Sequence, residues 1–307
     1  MKNLKIGSLL PILILSITLG FSQTDPSYPQ PNDADDTYFD DDTPEAVASV
    51  SYEPFYDDLS PHGTWTTYDD YGYVWIPRAE AGFQPYSTNG HWVMTDYGWT
   101  WASDYSWGWA AFHYGRWTYA PRYGWMWIPG RTWGPAWVSW RQSNDYYGWA
   151  PLGPRRRGVN VAVVIPVEHY RFVPVRYMAN PQLRNYVVNR QQNGVIINNT
   201  TVINTTRIVN KTRIVAGPPR EQFERTTGQK VDVVVLKENN HARAAVVNNG
   251  QMEVYRPQMS PLRNNAAPPQ PLKVEAIKDV PQRVTKRQPP TMQPREGRNT
   301  EGGNWAE

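Results

Sequence analysis

Apolar and polar positions between residues 63 and 151 follow a repeating frame. Each unit begins with Gly-x-Trp, crosses a short polar segment that ends in Tyr-Gly, and closes on another Trp. The clearest units span 63–77, 90–101 and 115–129, with a period of about 26 residues that is typical of repeat proteins. Aromatic residues at i and i+2, including the pair Trp107 and Trp109, are expected to share one face of a strand, because side chains in a strand alternate with period two. The frame therefore predicts tandem β-hairpins, completed by irregular Trp-rich segments at 107–110, 137–140 and 147–151.

The polar interruptions of the units predict the turns of these hairpins. Each one supplies turn-forming residues followed by a glycine that can adopt positive φ, namely Gly72, Gly98 and Gly124. Pro77 and Pro129 are expected to end strands, because proline cannot donate a hydrogen bond to a ladder. The unit is thus a strand, a bulged turn and a second strand.

The stretch from about Phe55 to Pro154 resembles a known family. It opens with Phe-Tyr-Asp-Asp-Leu-Ser-Pro-His-Gly-Thr-Trp, closes with Tyr-Gly-Trp-Ala-Pro-Leu, and carries Tyr-Gly-x-x-Trp-x-Pro repeats between. This pattern is similar to that of exported bacterial proteins catalogued as a domain of unknown function. The resemblance implies an envelope location. It brings no catalytic or ligand-binding residues.

Residues 1–22 are interpreted as a secretory signal peptide. A charged start, Met1 to Lys5, precedes an apolar run from Ile6 to Phe21, and cleavage is expected near Ser22. The alternative is a membrane anchor, but the run is shorter than the roughly 20 residues that a spanning helix needs. No later run is long enough, so we expect no transmembrane span after cleavage. The protein is predicted to be exported to the periplasm, or to associate with the outer membrane or cell surface.

Two polar segments flank the predicted folded part. Residues 23–50 are crowded with aspartates and are interpreted as an acidic disordered linker, since like charges without apolar partners stay solvated. A calcium loop is the alternative, but the spacing of its ligands is missing. Residues 257–307 are rich in Pro, Gln and Arg and are interpreted as a disordered tail. Between these segments, residues 51–155 are assigned to the Trp-rich β-repeat domain.

Residues 156–256 are assigned to a small β-rich or α+β region, because aliphatic residues replace aromatic ones there. Val159 to Val167 is predicted to form strand structure. Apolar pairs then recur every six residues from Ile196 to Val215, which favours short strands with Asn-rich turns over a single β-helix coil. One short helix is predicted from Arg220 to Arg225, between Pro218-Pro219 and Gly228, and a strand from Lys230 to Leu236.

Composition supports a mainly β fold. Trp, Tyr and Val outweigh Leu, Ile and Phe, which favours strands over helices. The chain has no cysteine, so no disulfide or lipoprotein anchor is available. A net charge of +3 without basic patches interleaved with aromatic residues argues against nucleic-acid binding.

No motif assembles a catalytic or metal site. The sequence lacks His-Glu-x-x-His, Gly-x-Ser-x-Gly and a phosphate-binding glycine loop, and its five histidines are scattered. A site built from His62, His91 and His113 is the alternative, although each lies beside repeat glycines or aromatic residues. We therefore predict no catalytic residues, no metal, no cofactor and no enzymatic activity.

Each tryptophan of the array has two candidate roles, in the core or on a binding platform. Most must be structural, because the segment is poor in other large apolar residues, but a few exposed rings would stack on sugars. The candidates come from the irregular part of the array: Trp107, Trp109, Trp133, Trp137 and Trp140. Neighbouring arginines could add hydrogen bonds or pair with anions: Arg116, Arg122, Arg131 and Arg141.

The sequence thus predicts an exported, non-enzymatic cell-envelope protein that acts as an aromatic-repeat scaffold or protein-interaction module. The alternative is a module that binds cell-wall or extracellular polysaccharide through exposed Trp and Tyr faces. The expected partners are envelope proteins or glycans. The sequence sets no oligomeric state.

Overall fold

The structure is a computed structural model that describes residues 51–154, 164–203, 205–209, 212–257 and 269–283. The predicted signal peptide and acidic linker lie outside these residues, as do residues 159–163 of the predicted Val159 to Val167 strand. No helix in the described part is both long enough and apolar enough to cross a membrane. The fold is mostly β, with short helices, as predicted.

Eight strands form the four hairpins of the repeat array. In chain order they are β1 (Gly63–Thr67), β2 (Tyr73–Pro77), β3 (Gly90–Thr95), β4 (Gly98–Ser103), β5 (Arg116–Ala120), β6 (Gly124–Ile128), β7 (Val138–Gln142) and β8 (Tyr146–Pro151). Each consecutive pair is antiparallel. The prediction of tandem hairpins is therefore confirmed, and the last two Trp-rich segments make the fourth.

The structure describes seven further strands and four helices. The strands are β9 (Arg171–Pro174), β10 (Thr201–Ile203), β11 (Thr206–Val209), β12 (Thr212–Val215), β13 (Val235–Asn239), β14 (Val246–Asn248) and β15 (Gln251–Tyr255). The helices are α1 (Glu53–Leu59), α2 (Gly108–Ala111), α3 (Asn193–Asn198) and α4 (Arg220–Thr227). Single 3-10 turns, such as Val167–His169 and Arg190–Gln192, lie in the connections.

Every hairpin places two tryptophans directly opposite each other. The cross-strand pairs are Trp65 with Trp75, Trp92 with Trp101, Trp117 with Trp127, and Trp140 with Trp149. Aromatic residues facing each other on one side of a sheet stabilise the pairing of the strands. The predicted turn glycines, Gly72, Gly98 and Gly124, adopt φ values of 73°, 94° and 79°. The spacing of the repeat is thus the spacing of a Trp–Trp pair across a turn.

The glycine of Gly-x-Trp leaves room for the second tryptophan of its hairpin. A Cβ atom on Gly63 would lie 2.5 Å from Nε1 of Trp75, and one on Gly90 would lie 2.7 Å from the ring of Trp101. The third hairpin repeats the arrangement with Gly115 and Trp127, at 2.9 Å. A glycine is therefore needed at this position, because a backbone carbonyl and an indole ring of the partner strand leave no room for a side chain.

The four hairpins do not form one continuous sheet. The first and third join in the order β1-β2-β6-β5, where Trp75 lies opposite Trp127. The second stays a two-stranded sheet, and the fourth is extended to β10-β7-β8-β9. Strands β13-β15-β14 form a further sheet, and β11 pairs with β12.

Aromatic side chains fill the space between these sheets. All fourteen tryptophans from Trp65 to Trp149 are buried, and the most exposed, Trp133, has 8% of its surface accessible. Thirteen belong to one apolar cluster, while Trp137 packs against Ile214. Seven indole N–H groups donate hydrogen bonds, six to backbone carbonyls and that of Trp125 to the Gln84 amide. The array is therefore chiefly a core.

Several local predictions need correction. The segment from Trp107 to Trp109 was expected to be a strand, but residues 108–111 form helix α2, which is buried on all sides. Ile196 and Ile197 lie in helix α3 and not in a strand of the hexad series. The strand expected from Lys230 to Leu236 begins at Val235 instead. In each case contacts with distant segments override the local pattern.

Two helices test the short-helix prediction. Helix α4 is confirmed, including its left-handed end at Gly228 with φ 69°. Helix α1 was missed, although Tyr52, Phe55, Tyr56 and Leu59 follow a helical spacing and are all buried. This helix has seven residues and lies within residues 51–155, which were assigned to the β-repeat domain.

Part of the predicted tail packs on the first sheet. The backbone N–H of Glu275 donates to the carbonyl of Trp65 at 2.9 Å, and that of Arg283 donates to Arg122 at 2.7 Å. Between them, Val280 is buried against Val74 and Met126. Residues 269–283 therefore cover one edge of β1. The hydrogen bond of Glu275 and the apolar contact of Val280 hold them against the sheet.

Candidate functional site

The five tryptophans predicted to bind ligand all lie in the interior. Their accessible fractions are 4% for Trp107 and Trp109, 8% for Trp133, 2% for Trp137 and 1% for Trp140. None presents an open face on which a sugar ring can stack. Their burial favours the first of the two candidate roles, that of a core residue. A ligand-binding role for these five tryptophans stays a prediction.

Trp107 and Trp109 belong to the start of helix α2. Trp107 stacks on Tyr105, with 4.2 Å between the ring centroids. Trp109 stacks on Phe55 of α1 at 5.5 Å and meets Tyr255 of β15 edge-on at 4.7 Å. These two rings hold helices α1 and α2 and strand β15 together, which explains why they lie outside the hairpin frame.

Cations cover the faces of Trp133 and Trp137. The guanidinium of Arg256 lies 3.9 Å from the ring centre of Trp133, and that of Arg116 lies 3.8 Å from the ring centre of Trp137. Arginine stacked on indole in this way is attracted by the ring electrons. Of the expected arginines, Arg116 thus lies against one of these tryptophans, while Arg256 was not among those expected. Both guanidinium groups occupy ring faces that a ligand would use.

Trp140 and Arg141 are also engaged inside the fold, whereas Arg122 is exposed. Trp140 lies 4.5 Å from Trp92 and 5.9 Å from its cross-strand partner Trp149. Arg141 donates to the hydroxyl and the carbonyl of Thr200. Arg141 therefore joins β7 to the end of α3.

The histidines near the array behave as structural groups. Burial lowers the pKa of His113 to about 4, and its Nδ1 lies 2.9 Å from the carbonyl of Gly134. Burial also lowers the pKa of His91. Among residues that the structure describes, no group of three or more His, Asp and Glu side chains is arranged to hold a metal ion.

A polar cleft of about 730 Å³ lies beside the fourth hairpin. The turn between β7 and β8 forms one wall, and helix α3 with β10 and α4 forms the other. Its lining consists of Gln142, Ser143, Asn144, Asp145, Tyr146, Gln192, Val195, Ile196, Asn199, Thr201 and Gln222. We call this feature the polar cleft.

Eight of the eleven residues that line the polar cleft carry an amide or a hydroxyl. Asn144, Gln192 and Asn199 are exposed there, and Gln222 donates to Gln142 at 3.0 Å. Such groups donate and accept hydrogen bonds without charge, as recognition of a neutral polar ligand requires. Asp145 is the single carboxylate in this lining. The cleft therefore offers mainly uncharged hydrogen-bonding groups.

Sequence reasoning did not find this cleft. Neither the polar run from Gln142 to Tyr146 nor Gln192 belongs to a predicted element, and Asn199 falls among the predicted Asn-rich turns. Their approach depends on β10 pairing with β7, which links residues about sixty positions apart. No local pattern announces that pairing.

The repeat array matches one known protein family. Residues 56–156 match a family described as a family of unknown function (DUF6600). No curated protein and no solved structure matches the chain. The expected similarity to a family of unknown function is confirmed over the stretch that holds the four hairpins.

Proposed function

We propose that this chain, whose hairpin array matches a family of unknown function, is an exported, non-enzymatic cell-envelope protein. In this role the array is a rigid scaffold for contacts with envelope proteins. The observation that carries the proposal is the burial of all fourteen array tryptophans. Rings locked between sheets stiffen the body and are not free to act as a stacking platform.

The export part of the proposal is tested by the mature N-terminus. Cells expressing the full chain with a C-terminal tag are fractionated, and the intact mass of the purified protein is measured. We expect a mass that corresponds to cleavage near Ser22 and recovery in the envelope fractions. A full-length mass with recovery in the cytosol contradicts the proposal.

A second function, binding of a neutral polysaccharide, is supported by the polar cleft. Its amide and hydroxyl lining matches the hydrogen-bonding needs of sugar hydroxyls, and Tyr146, which is half-buried, supplies a ring at the edge. This role differs from the expected one, since the tryptophans do not take part. Scaffold and glycan binding then use different parts of the same body.

A matched pair of variants separates the two functions. Gln192 lines the polar cleft. The adjacent Gln191 is also exposed but does not line the cleft. Calorimetric titration with neutral envelope oligosaccharides is run on the parent, Gln192→Ala and Gln191→Ala. Saturable binding weakened only by Gln192→Ala favours the polysaccharide function. If no oligosaccharide binds the parent protein, the scaffold function is favoured.

A further inference from the structure

The side chain of Gln84, in the loop that connects β2 to β3, is the centre of a hydrogen-bond network with distant segments of the chain. Its Oε1 accepts from Nε1 of Trp125 at 3.1 Å and from Nη2 of Arg171 at 2.7 Å. A longer contact of 3.4 Å joins the same oxygen to Nη2 of Arg190. Its Nε2 donates to the carbonyl of His169 at 3.1 Å. We call these residues, without Trp125, the Gln84 centre.

Two guanidinium groups therefore converge on one neutral oxygen. Arg171 is 3% exposed and otherwise donates to the carbonyls of Glu168 and Tyr170. Among the described residues, neither Arg171 nor Arg190 forms an ion pair with a carboxylate. Burying a positive charge without an anion is unfavourable, and a second cation nearby adds to the cost. Burial and then Arg190 lower the pKa of Arg171 to about 9.

The Gln84 centre opens to solvent through Arg190 and His169. Arg190 is exposed and His169 is half-buried. The ring of His169 lies 4.8 Å from Trp125 and 5.4 Å from Tyr119, which is 40% exposed. The accessible rim thus combines a cation, an imidazole and a tyrosine ring, with the charge of Arg171 behind it.

We propose that the Gln84 centre binds the carboxylate of an acidic polysaccharide, with Arg190 contacting the anion directly. Arg171 attracts the same carboxylate from behind Gln84, and His169 and Tyr119 flank the sugar ring. Guanidinium groups match the geometry of carboxylates, and an exposed aromatic ring offers a surface to the C–H groups of a sugar. Free phosphate shares the charge but gains nothing from Tyr119.

The position of Arg190 also fits a chain of several sugars. It precedes Gln192 of the polar cleft by two residues within one 3-10 turn. A polysaccharide lying in the cleft would pass near Arg190, although the carboxylate site does not require the cleft to be occupied. The proposal therefore stands independently of whether the cleft binds neutral sugars.

The test uses a charged oligosaccharide and its neutral twin. Tetragalacturonate, the same tetramer fully methyl-esterified, and inorganic phosphate are each titrated into the full chain by calorimetry at pH 7 and low salt. We expect tetragalacturonate to bind at least about tenfold more tightly than either of the other two, because only it offers both charge and ring. Equal binding of the esterified tetramer overturns the proposal.

Variants of exposed residues then locate the site. Arg190→Gln is expected to weaken tetragalacturonate binding at least about fivefold. Arg184→Gln removes the same charge from an exposed arginine that already pairs with Glu80 at 3.8 Å, and should keep binding within about twofold. Glu168→Gln removes an exposed carboxylate beside His169 and should tighten binding.

Two further results would overturn the proposal. One is equal weakening by Arg190→Gln and Arg184→Gln, which would mean that net charge alone attracts the ligand. The other is binding of phosphate as tight as that of tetragalacturonate, which would make the site one for a free oxyanion. Thermal unfolding of each variant confirms that the fold is retained.

Discussion

Single glycines decide whether the indole rings of the array can reach their places. Gly90 has no steric need for an unusual backbone angle, but a methyl group there would lie 2.5 Å from the carbonyl of Ala102 and 2.7 Å from Trp101. Gly194, in helix α3, has no atom within 4 Å of the same position. Substituting each glycine by alanine therefore distinguishes the effect of limited space, which applies only at Gly90, from the loss of backbone flexibility, which applies at both.

We predict that Gly90→Ala destabilises the fold and that Gly194→Ala does not. The first forces a backbone and an indole apart and should lower the free energy of unfolding by about 2 kcal/mol or more. The second adds a better helix former and should raise it by up to about 1 kcal/mol. Urea unfolding monitored by circular dichroism measures both. Equal effects would show that ring clearance does not determine the first position.

Burial of His113 makes stability depend on pH. The pKa of His113 is about 4 in the folded chain and 6.5 in the unfolded chain. Between these pH values the unfolded chain therefore binds a proton at His113 and the folded chain does not. The free energy of unfolding therefore falls as the pH falls from about 6.5 to about 4. Between pH 7 and pH 5 the loss from this residue should be about 2 kcal/mol.

His113→Gln isolates this contribution. The variant should be less stable at pH 7, since it disturbs the stack on Trp133, but it should lose less stability on acidification than the parent. The partly buried His91 and His169, whose pKa values are also lowered, contribute to the remaining slope. Urea unfolding of both proteins at pH 7 and pH 5 measures the difference, and identical slopes would contradict the assignment.

Hairpins are the elements that the sequence predicts best. Gly98 and Gly124 mark turns whose strands are close in the chain, so the signal and its contact are both local. Trp107 and Trp109 failed as strand residues because no partner strand reaches them, and the run Gly-Trp-Ala-Ala folds into helix α2 inside the core. The fourth hairpin departs from the frame as well, with Val138 where the others have glycine.

The second tryptophans of the second and fourth hairpins, Trp101 and Trp149, differ in whether the indole N–H has a hydrogen-bond acceptor. Trp149 and Trp101 occupy corresponding positions and are both fully buried. The indole N–H of Trp149 donates to the carbonyl of Tyr86 at 2.7 Å, whereas that of Trp101 has no acceptor among the described residues. Replacement by phenylalanine removes the N–H in both and leaves a similar gap.

We therefore predict that Trp149→Phe costs more stability than Trp101→Phe, by about 1 kcal/mol or more. Only the first change leaves a buried carbonyl without its donor, and the second removes an N–H that gains nothing from being buried. Urea unfolding of the two variants beside the parent measures this difference. An equal or reversed order would mean that ring volume alone sets the cost.

At the scale of the whole molecule, distant segments complete what the repeats begin. Residues 269–283 close the edge of β1, and β10 closes β7 from a position about sixty residues away. The same long-range pairing forms the polar cleft, while the Gln84 centre joins residues 84, 169, 171 and 190. Sequence reasoning identified the aromatic core but neither of these surfaces, because polar residues on separate loops share no period.

Truncation tests the role of the packed tail segment. A chain ending at residue 283 should be as stable as the parent, while one ending at residue 268 exposes Val74, Met126 and the edge of β1. Loss of the buried Val280 side chain and its neighbouring hydrogen bonds should cost about 2 to 4 kcal/mol. Thermal and urea unfolding of both truncations check this. Equal stability would mean that the segment only rests on the sheet.

The pairing of the first hairpin with the third, and not with the second, bears on how the chain acquires its shape. A polypeptide that emerges from its N-terminus cannot finish the sheet β1-β2-β6-β5 until some fifty further residues have followed. Until then β2 lacks its partner strand β6, and indole rings of the first hairpin remain exposed. Completion of this sheet therefore depends on a contact between segments about fifty residues apart, and such non-local pairing forms more slowly than a local hairpin.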